Sequence, residues 1–374
     1  MNDSDRDADC EPAPDRDHDA TERTADRGRI RIVGFEEAVA ERRDRDARAQ
    51  SAAPGSGPAA PRSADRPGGR ASRLAVAWRR FRRNRTAMAG LGIIVVMAVL
   101  AVFARPIEVS TTGYTITLQP VSLAPYDPAE PFVGSPNAPP SQAHPFGTDW
   151  AGRDQLSRVL VGGRYTLSVG LLAVVLALGV GVPLGAIAGY FGGWVDELVM
   201  RVVDVLYAFP FLVLAIAVVA ILGQGFWKLV AALVVTGWLG YARLLRGEVL
   251  SVREREYVTA AKALGVPDRT IIRRHVVPNA VAPVIVQATL NVGTVVLTAA
   301  ALGFLGLGLE PGSAEWGAML SRGRESLVQG HWHVTLFPGL AIFLFVLAIN
   351  LVGDGINGAL DPRRNVNDER RRLR

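Results

Sequence analysis

The chain has one cysteine, Cys10, only two lysines, Lys228 and Lys262, and five histidines. Each scarcity excludes a class of chemistry. A single cysteine permits neither an intrachain disulfide nor a cysteine metal site. A phosphate-cradling loop needs a glycine-rich turn followed by Lys and then Ser or Thr. Lys228 is followed by Leu229 and Lys262 by Ala263, so the chain is not expected to bind ATP in that way. No histidine stands in an H-E-x-x-H pair, and His331 and His333 in "HWH" are two ligands without a third, which favours packing over a metal. The glycine-rich "GFLGLGLEPG" ends an apolar run with no strand before it, so a dinucleotide reading is weak. The opening "MNDSDRDADCEPAPDRDHDATERTADRGR" lacks the apolar core of a secretory signal.

What the sequence has in abundance is apolar residues, 49% of 374, gathered into blocks such as "GLGIIVVMAVLAVFA" and "SVGLLAVVLALGVGVPLGAIAGY" where charge disappears. A helix of about 20 such residues spans a bilayer, and continuous helix satisfies every backbone group there. The reading is an all-α membrane protein with six transmembrane helices, near 87–105, 165–190, 200–222, 227–245, 281–308 and 334–353. Gly181, Gly185 and Gly189 recur every fourth residue in the second span and offer a face for close helix approach. Residues 1–72 mix charge with Ala, Pro, Gly and Ser and hold too little apolar surface to fold, so a disordered extension is expected there.

Charge gives orientation. Residues 1–70 hold 16 acidic and 13 basic residues, net −3, which leaves net +9 on the rest. Seven Arg fall between Arg70 and Arg85, eight basic residues between Arg243 and Arg274, and six Arg after Asp361, whereas the alternate connections are poorer. By the positive-inside rule both termini and the 250–279 loop are cytoplasmic, and the excess reflects the lipid bilayer rather than nucleic acid.

The loop itself has structure. Tyr257, Ala260, Ala261 and Leu264 stand at i, i+3, i+4 and i+7, one face of a short helix, with Gly265 as its C-terminal cap. Pro267 and Asp268 suit the start of a second helix that Pro278 ends. Periodicity leaves two occupants open for this hairpin, a lipid surface or a protein. Deeper in the spans, Asp204 is expected to be neutralised by Arg201. Of the few polar residues there, Gln287 and Asn291, at i and i+4, are the best candidates for a translocation pathway.

"TAAKALGVPDRTIIRRHVVPN" resembles the signature cytoplasmic loop of ABC-transporter membrane subunits, through Ala260, Ala261, Gly265 and Pro278, with Thr259 where the family usually has an acid. "HPFGTDWAGRDQLSRVLVGGRYTLSVGL" resembles the segment before the second span in dipeptide, oligopeptide and nickel permeases, through Gly147, Thr148, Asp149, Gly152, Arg153, Asp154, Ser157 and Arg158. "FRRNRTAMAGLGI", "LGFLGLGLEPGSAEWGAML" and "NLVGDGINGALDPR" are similar to further segments of the C-type subunit, in family order.

The resemblance implies the ABC importer permease fold and a subunit, not an enzyme, that carries di- or oligopeptides across the cytoplasmic membrane. Nickel or another small solute is the alternative, and a stand-alone carrier or intramembrane enzyme the rival from another class. It implies a second homologous permease, two ABC ATPase subunits that bind ATP and magnesium, and an extracytoplasmic solute-binding protein, with no cofactor in this chain. Tyr257, Thr259, Ala260, Ala261, Leu264, Gly265 and Pro278 would couple to an ATPase subunit. Asp149, Arg153, Asp154 and Arg158 would order an external gate or receive the binding protein, or form a local ion-pair network. The expected organisation is an extension at 1–72, the first span and external loop at 73–145, a five-helix core at 146–360 with the coupling loop at 250–279, and a cytoplasmic tail at 361–374.

Overall fold

The apolar runs fold as helices in the computed structural model, which describes residues 70–111, 114–310 and 312–360. The expected extension, apart from Arg70–Ser72, and the 361–374 tail lie outside the described residues. Helix α1 (Arg70–Arg83) leads into α2 (Arg85–Val102), whose N-terminus is capped by the Asn84 side chain accepting from the Thr86 and Ala87 amides. Strands β1 (Ile107–Thr111) and β2 (Tyr114–Gln119) form an antiparallel hairpin, with Glu108 opposite Thr117 and Val109 opposite Ile116. Then come α3 (Gln155–Phe191), α4 (Gly193–Tyr207), α5 (Phe211–Leu222) and α6 (Phe226–Arg253). Helix α7 (Glu256–Ala263), α8 (Asp268–Ile271) and α9 (Val277–Ala280) make the loop before α10 (Ala282–Phe304). Helices α11 (Trp316–Val328) and α12 (His333–Leu360) complete the described chain.

Five of these helices, α2, α3, α6, α10 and α12, are long and apolar enough to cross a membrane. The expected third span at 200–222 is instead two helices, α4 and α5, meeting at 90°. Pro210 is the cause: it opens α5, has no amide to continue α4, and pushes Phe209 out of helical geometry. The hairpin is a second difference, since a search for apolar blocks passes over the short alternating "IEVST" and "YTITLQ".

Packing centres on the pair α3 and α6. A β-carbon at Gly181 would stand 2.6 Å from the Trp238 carbonyl oxygen, one at Gly189 2.9 Å from that of Arg246, and one at Gly185 would strike the Ala242 backbone. The three glycines let the two helix backbones touch, and in lipid such contact, not the hydrophobic effect, holds helices together. Val169, Leu229, Leu233, Leu245, Val296 and Leu302 fill the core that α10 shares with this pair. Helix α12 packs along α2, and Phe81 of α1 closes with Ala87 of α2 over Gly355.

The two ends of α3 define two sides. At its C-terminal end stand α7, α8 and the ends of α4 and α6, called the loop side below. At its N-terminal end, the far side, lie the hairpin, residues 120–154 and α11. There Arg164 caps α2 by donating to the carbonyls of Ala101 at 3.1 Å and Val102 at 2.7 Å.

Candidate coupling loop and translocation face

Helix α7 ends in a glycine cap with both hydrogen bonds of a Schellman motif: the Val266 amide donates to the Ala261 carbonyl at 3.1 Å and the Gly265 amide to that of Lys262 at 2.9 Å. Gly265 has φ +74°, and a β-carbon there would meet nothing within 4 Å. The glycine is therefore required by backbone geometry and not by crowding. Ile271 and Val276 bury the second limb. This limb does not stop at Pro278: Ile272–Val276 forms a single π turn and the chain passes on into α9. Pro278 has no amide for the Arg274 carbonyl, which accounts for the wider turn.

The expected face of α7 divides in two. Ala261 turns inward with Val258, which is fully buried, whereas Tyr257, Thr259 and Ala260 are exposed and Leu264 is 83% exposed. The outward face thus reads Tyr257, Ala260 and Leu264, and the inward one rests on Val258 and Ala261.

A residue that the sequence did not single out ties this hairpin to α3. The Tyr190 hydroxyl hydrogen-bonds the Asp268 carboxylate of α8, the Lys262 ammonium of α7 lies 4.8 Å from the Tyr190 ring centroid, and Arg253 donates to the Gly189 carbonyl at 2.9 Å. Aromatic residues are common where spans meet water, so Tyr190 carries no sequence signal of its own. Beside it α6 grips α4: Arg246 pairs with Asp196, and Arg243 with Asp204 at 2.5 Å while lying 4.4 Å from the Tyr207 ring. Asp204 is not neutralised by Arg201, as their spacing suggested; Arg201 reaches Glu197 at 3.3 Å. Arg243 of α6, which packs beside α4, reaches Asp204 instead.

On the far side Asp149, Arg153, Asp154 and Arg158 are all buried, at 4, 7, 0 and 2% exposure. Of the roles expected for them, the geometry here is that of a local ion-pair network, with little side-chain surface left outward. Asp149 holds Arg153 at 2.7 Å and Arg158 at 3.5 Å. Asp154 caps α3 by accepting from the Ser157 amide at 2.8 Å and hydroxyl at 2.7 Å, with His144 at 2.9 Å. Arg158 also donates to the Pro128 carbonyl at 2.6 Å and that of Ser313 at 3.2 Å, joining residues before α3 to those before α11. His333 packs against the Thr148 carbonyl at 3.1 Å. Glu315, also missed, caps α11 through the Gly317 and Ala318 amides at 2.8 and 2.9 Å. Burial raises its carboxyl pKa, and those two amides pull it back.

Gln287 and Asn291 do meet. Gln287 donates to Asn291 at 2.9 Å, and Asn291 donates to the hydroxyl of buried Tyr241 at 3.2 Å. Gln287 is exposed and Asn291 half-buried. Thr236 and Asn350, by contrast, donate within their own helices, to Ala232 at 3.1 Å and Val346 at 2.8 Å.

Fold and site together define a class: a multi-pass membrane permease with a helical hairpin exposed on one side and no nucleotide loop of its own. Comparison with known proteins gives the family. Residues 181–366 match the binding-protein-dependent transport system inner membrane component, and residues 72–140 the N-terminal TM domain of oligopeptide transport permease C. The chain is 44% identical over 287 residues to the glutathione transport system permease protein GsiD of Escherichia coli O6:K15:H31 (strain 536 / UPEC), covering 76% of this chain and 89% of that protein. The same identity and coverage hold for GsiD of Shigella boydii serotype 4 (strain Sb227). An inward-facing structure of the MetNI methionine ABC transporter aligns with a TM-score of 0.46 at 20% identity, over 55% of this chain and 98% of that one. An amino acid ABC transporter with histidines aligns with a TM-score of 0.40 at 15% identity, over 53% and 92%. The chain belongs to the family of inner-membrane permease components of binding-protein-dependent ABC transport systems. It is a permease subunit and not an enzyme; ATP hydrolysis lies in separate subunits.

Proposed function

We propose that this chain carries small peptides through the inner membrane as one half of a permease pair, with two ATPase subunits below and a solute-binding protein above. The loop side is cytoplasmic and the far side external, which places both termini in the cytoplasm; the arginine-rich connections support that orientation. The peptide class is supported by the glutathione permeases and the oligopeptide permease C domain to which the chain is similar. ATP and magnesium belong to the ATPase subunits.

The observation that carries the reading is the outward face of α7. Tyr257, Ala260 and Leu264 form a small, partly apolar face with no partner among the described residues, on a hairpin whose inward face is anchored to the core. A lipid contact would favour basic residues on that face; Arg269, Arg273 and Arg274 lie instead on the second limb. An ATPase groove that receives this face moves α7, and Val258, Ala261 and the Tyr190 contacts pass the movement to α3 and α6. Nucleotide binding would shift the spans between inward-open and outward-open states. Asp149, Arg153, Asp154 and Arg158 order the external segment from within. Gln287 and Asn291 line the pathway.

Gly265→Asp tests the coupling. The new side chain meets nothing within 4 Å, but φ +74° strains any residue other than glycine by about 1–2 kcal/mol and distorts the cap of α7; membrane abundance is expected to persist and peptide uptake to be lost. Normal uptake at normal membrane abundance would sink the reading.

A further inference from the structure

On the far side, at the end of α10, a cavity of about 780 Å³ is lined by Trp150, Leu305, Arg322, Arg324, Glu325 and Gln329 among others. Neither Arg322 nor Arg324 has a hydrogen-bond or ion-pair partner among the described residues. Arg322, Arg324 and Glu325 are the charged residues of the lining and leave it with a net charge of +1. Trp150 is half exposed, with its indole as one wall.

The cavity does not stand alone. Gln287, Asn291, Thr294 and Thr298 recur at i, i+4, i+7 and i+11 of α10, and the same face continues through Ala301 to Leu305. Gln287 and Thr294 are exposed, which a lipid-facing helix would not favour. Leu305 ends that polar face and lines the cavity.

We infer that the cavity is a solute site at the external mouth of the pathway, where Arg322 and Arg324 take a carboxylate such as a peptide C-terminus and Trp150 covers the adjacent side chain. It rests on the reading above that the polar face of α10 lines the pathway. Paired guanidinium groups suit a planar carboxylate, which accepts two parallel hydrogen bonds. An aromatic wall adds apolar contact that does not depend on sequence, and the volume falls within the roughly 300–1,000 Å³ of small-ligand sites. An acidic face of the binding protein is the competing source of carboxylates, but a concave site with an indole wall favours a small solute.

The test is equilibrium binding of radiolabelled trialanine and of its C-terminal amide to the complete transporter in lipid nanodiscs, without nucleotide or binding protein. The acid is expected to bind about tenfold more tightly than the amide, the scale of one charged hydrogen bond. The R322Q/R324Q transporter should bind the two alike. R324Q alone, at an exposed position, should lose part of the preference and covers the case in which the double variant does not assemble. Failure of trialanine to bind, equal binding of acid and amide, or an acid preference that survives both substitutions would overturn the inference. So would variants that weaken only capture of the binding protein. Because no ATP is present, Gly265→Asp should leave the acid preference unchanged, which separates failure of this site from failure of the coupling. Gln287→Leu with Asn291→Leu tests the pathway itself, by lowering uptake while trialanine binding at the mouth persists.

Discussion

The two sides of the molecule use charge in opposite ways. On the far side, four charged residues in a ten-residue stretch, Asp149, Arg153, Asp154 and Arg158, turn inward and satisfy one another and nearby backbone. On the loop side, the outward face of α7 is uncharged, Tyr257, Ala260 and Leu264, with exposed charge beside it at Arg255, Glu256, Arg269, Arg273 and Arg274, while Lys262 and Asp268 close on Tyr190. Density of charge therefore marks a staple on the far side, and on the proposed coupling face it is small or apolar residues that stand exposed. Burial explains the first half: a charge taken from water must find a partner in the same chain. The second half suits the docking proposed above, which needs a face that loses little on desolvation.

Four substitutions probe that contrast, in falling order of effect. Asp149→Ala strands two arginines inside the far-side segment, and removing one partner of a buried pair costs about 3–5 kcal/mol; a thermal unfolding scan in detergent should show the drop, with Asp149→Asn milder. Gly185→Val drives a side chain into the Ala242 backbone and should cost about 1–3 kcal/mol as an overpacked contact, read as lost membrane abundance. Tyr190→Phe keeps the ring beneath Lys262 but removes the hydroxyl that holds Asp268, at about 0.5–1.5 kcal/mol for one hydrogen bond. Its signature is a higher ratio of ATP hydrolysed to solute carried, at unchanged abundance. Glu315→Gln gives the smallest change and is best seen against pH. Because the folded pKa of Glu315 lies above the unfolded one, its contribution is present below the unfolded pKa and is lost as pH rises through the folded value. The variant should flatten that part of the stability profile.

Much of this was legible beforehand, for a physical reason: a bilayer demands long apolar helices, so α2, α3, α6, α10 and α12 announce themselves by length and hydropathy. The glycine repeat and the Gly265 cap were also readable, because each depends on the absence of one β-carbon. The bend between α4 and α5 was not, although Pro210 was in view, because proline also occurs within continuous spans, as Pro183 does in α3. The partners of Asp204 and Tyr190 were illegible for a different reason. Arg243 lies 39 residues from Asp204, and Asp268 lies 78 from Tyr190, so neither pairing leaves a local pattern. The Gly265 cap predicted where α7 ends but not which way the helix rolls, and it is Ala261 that faces inward with Val258.

The measurement that bears most directly on the account is co-purification of partner subunits, in mild detergent, with the unaltered chain and with Leu264→Asp. Leu264 is exposed and the change should leave stability within about 0.5 kcal/mol, as for surface sites generally. The account predicts that P-loop ATPase subunits accompany the unaltered chain and are lost from Leu264→Asp at equal abundance, while the second permease remains. ATPase subunits retained in full by Leu264→Asp, or absent from the unaltered chain in a preparation that preserves other membrane complexes, would contradict it.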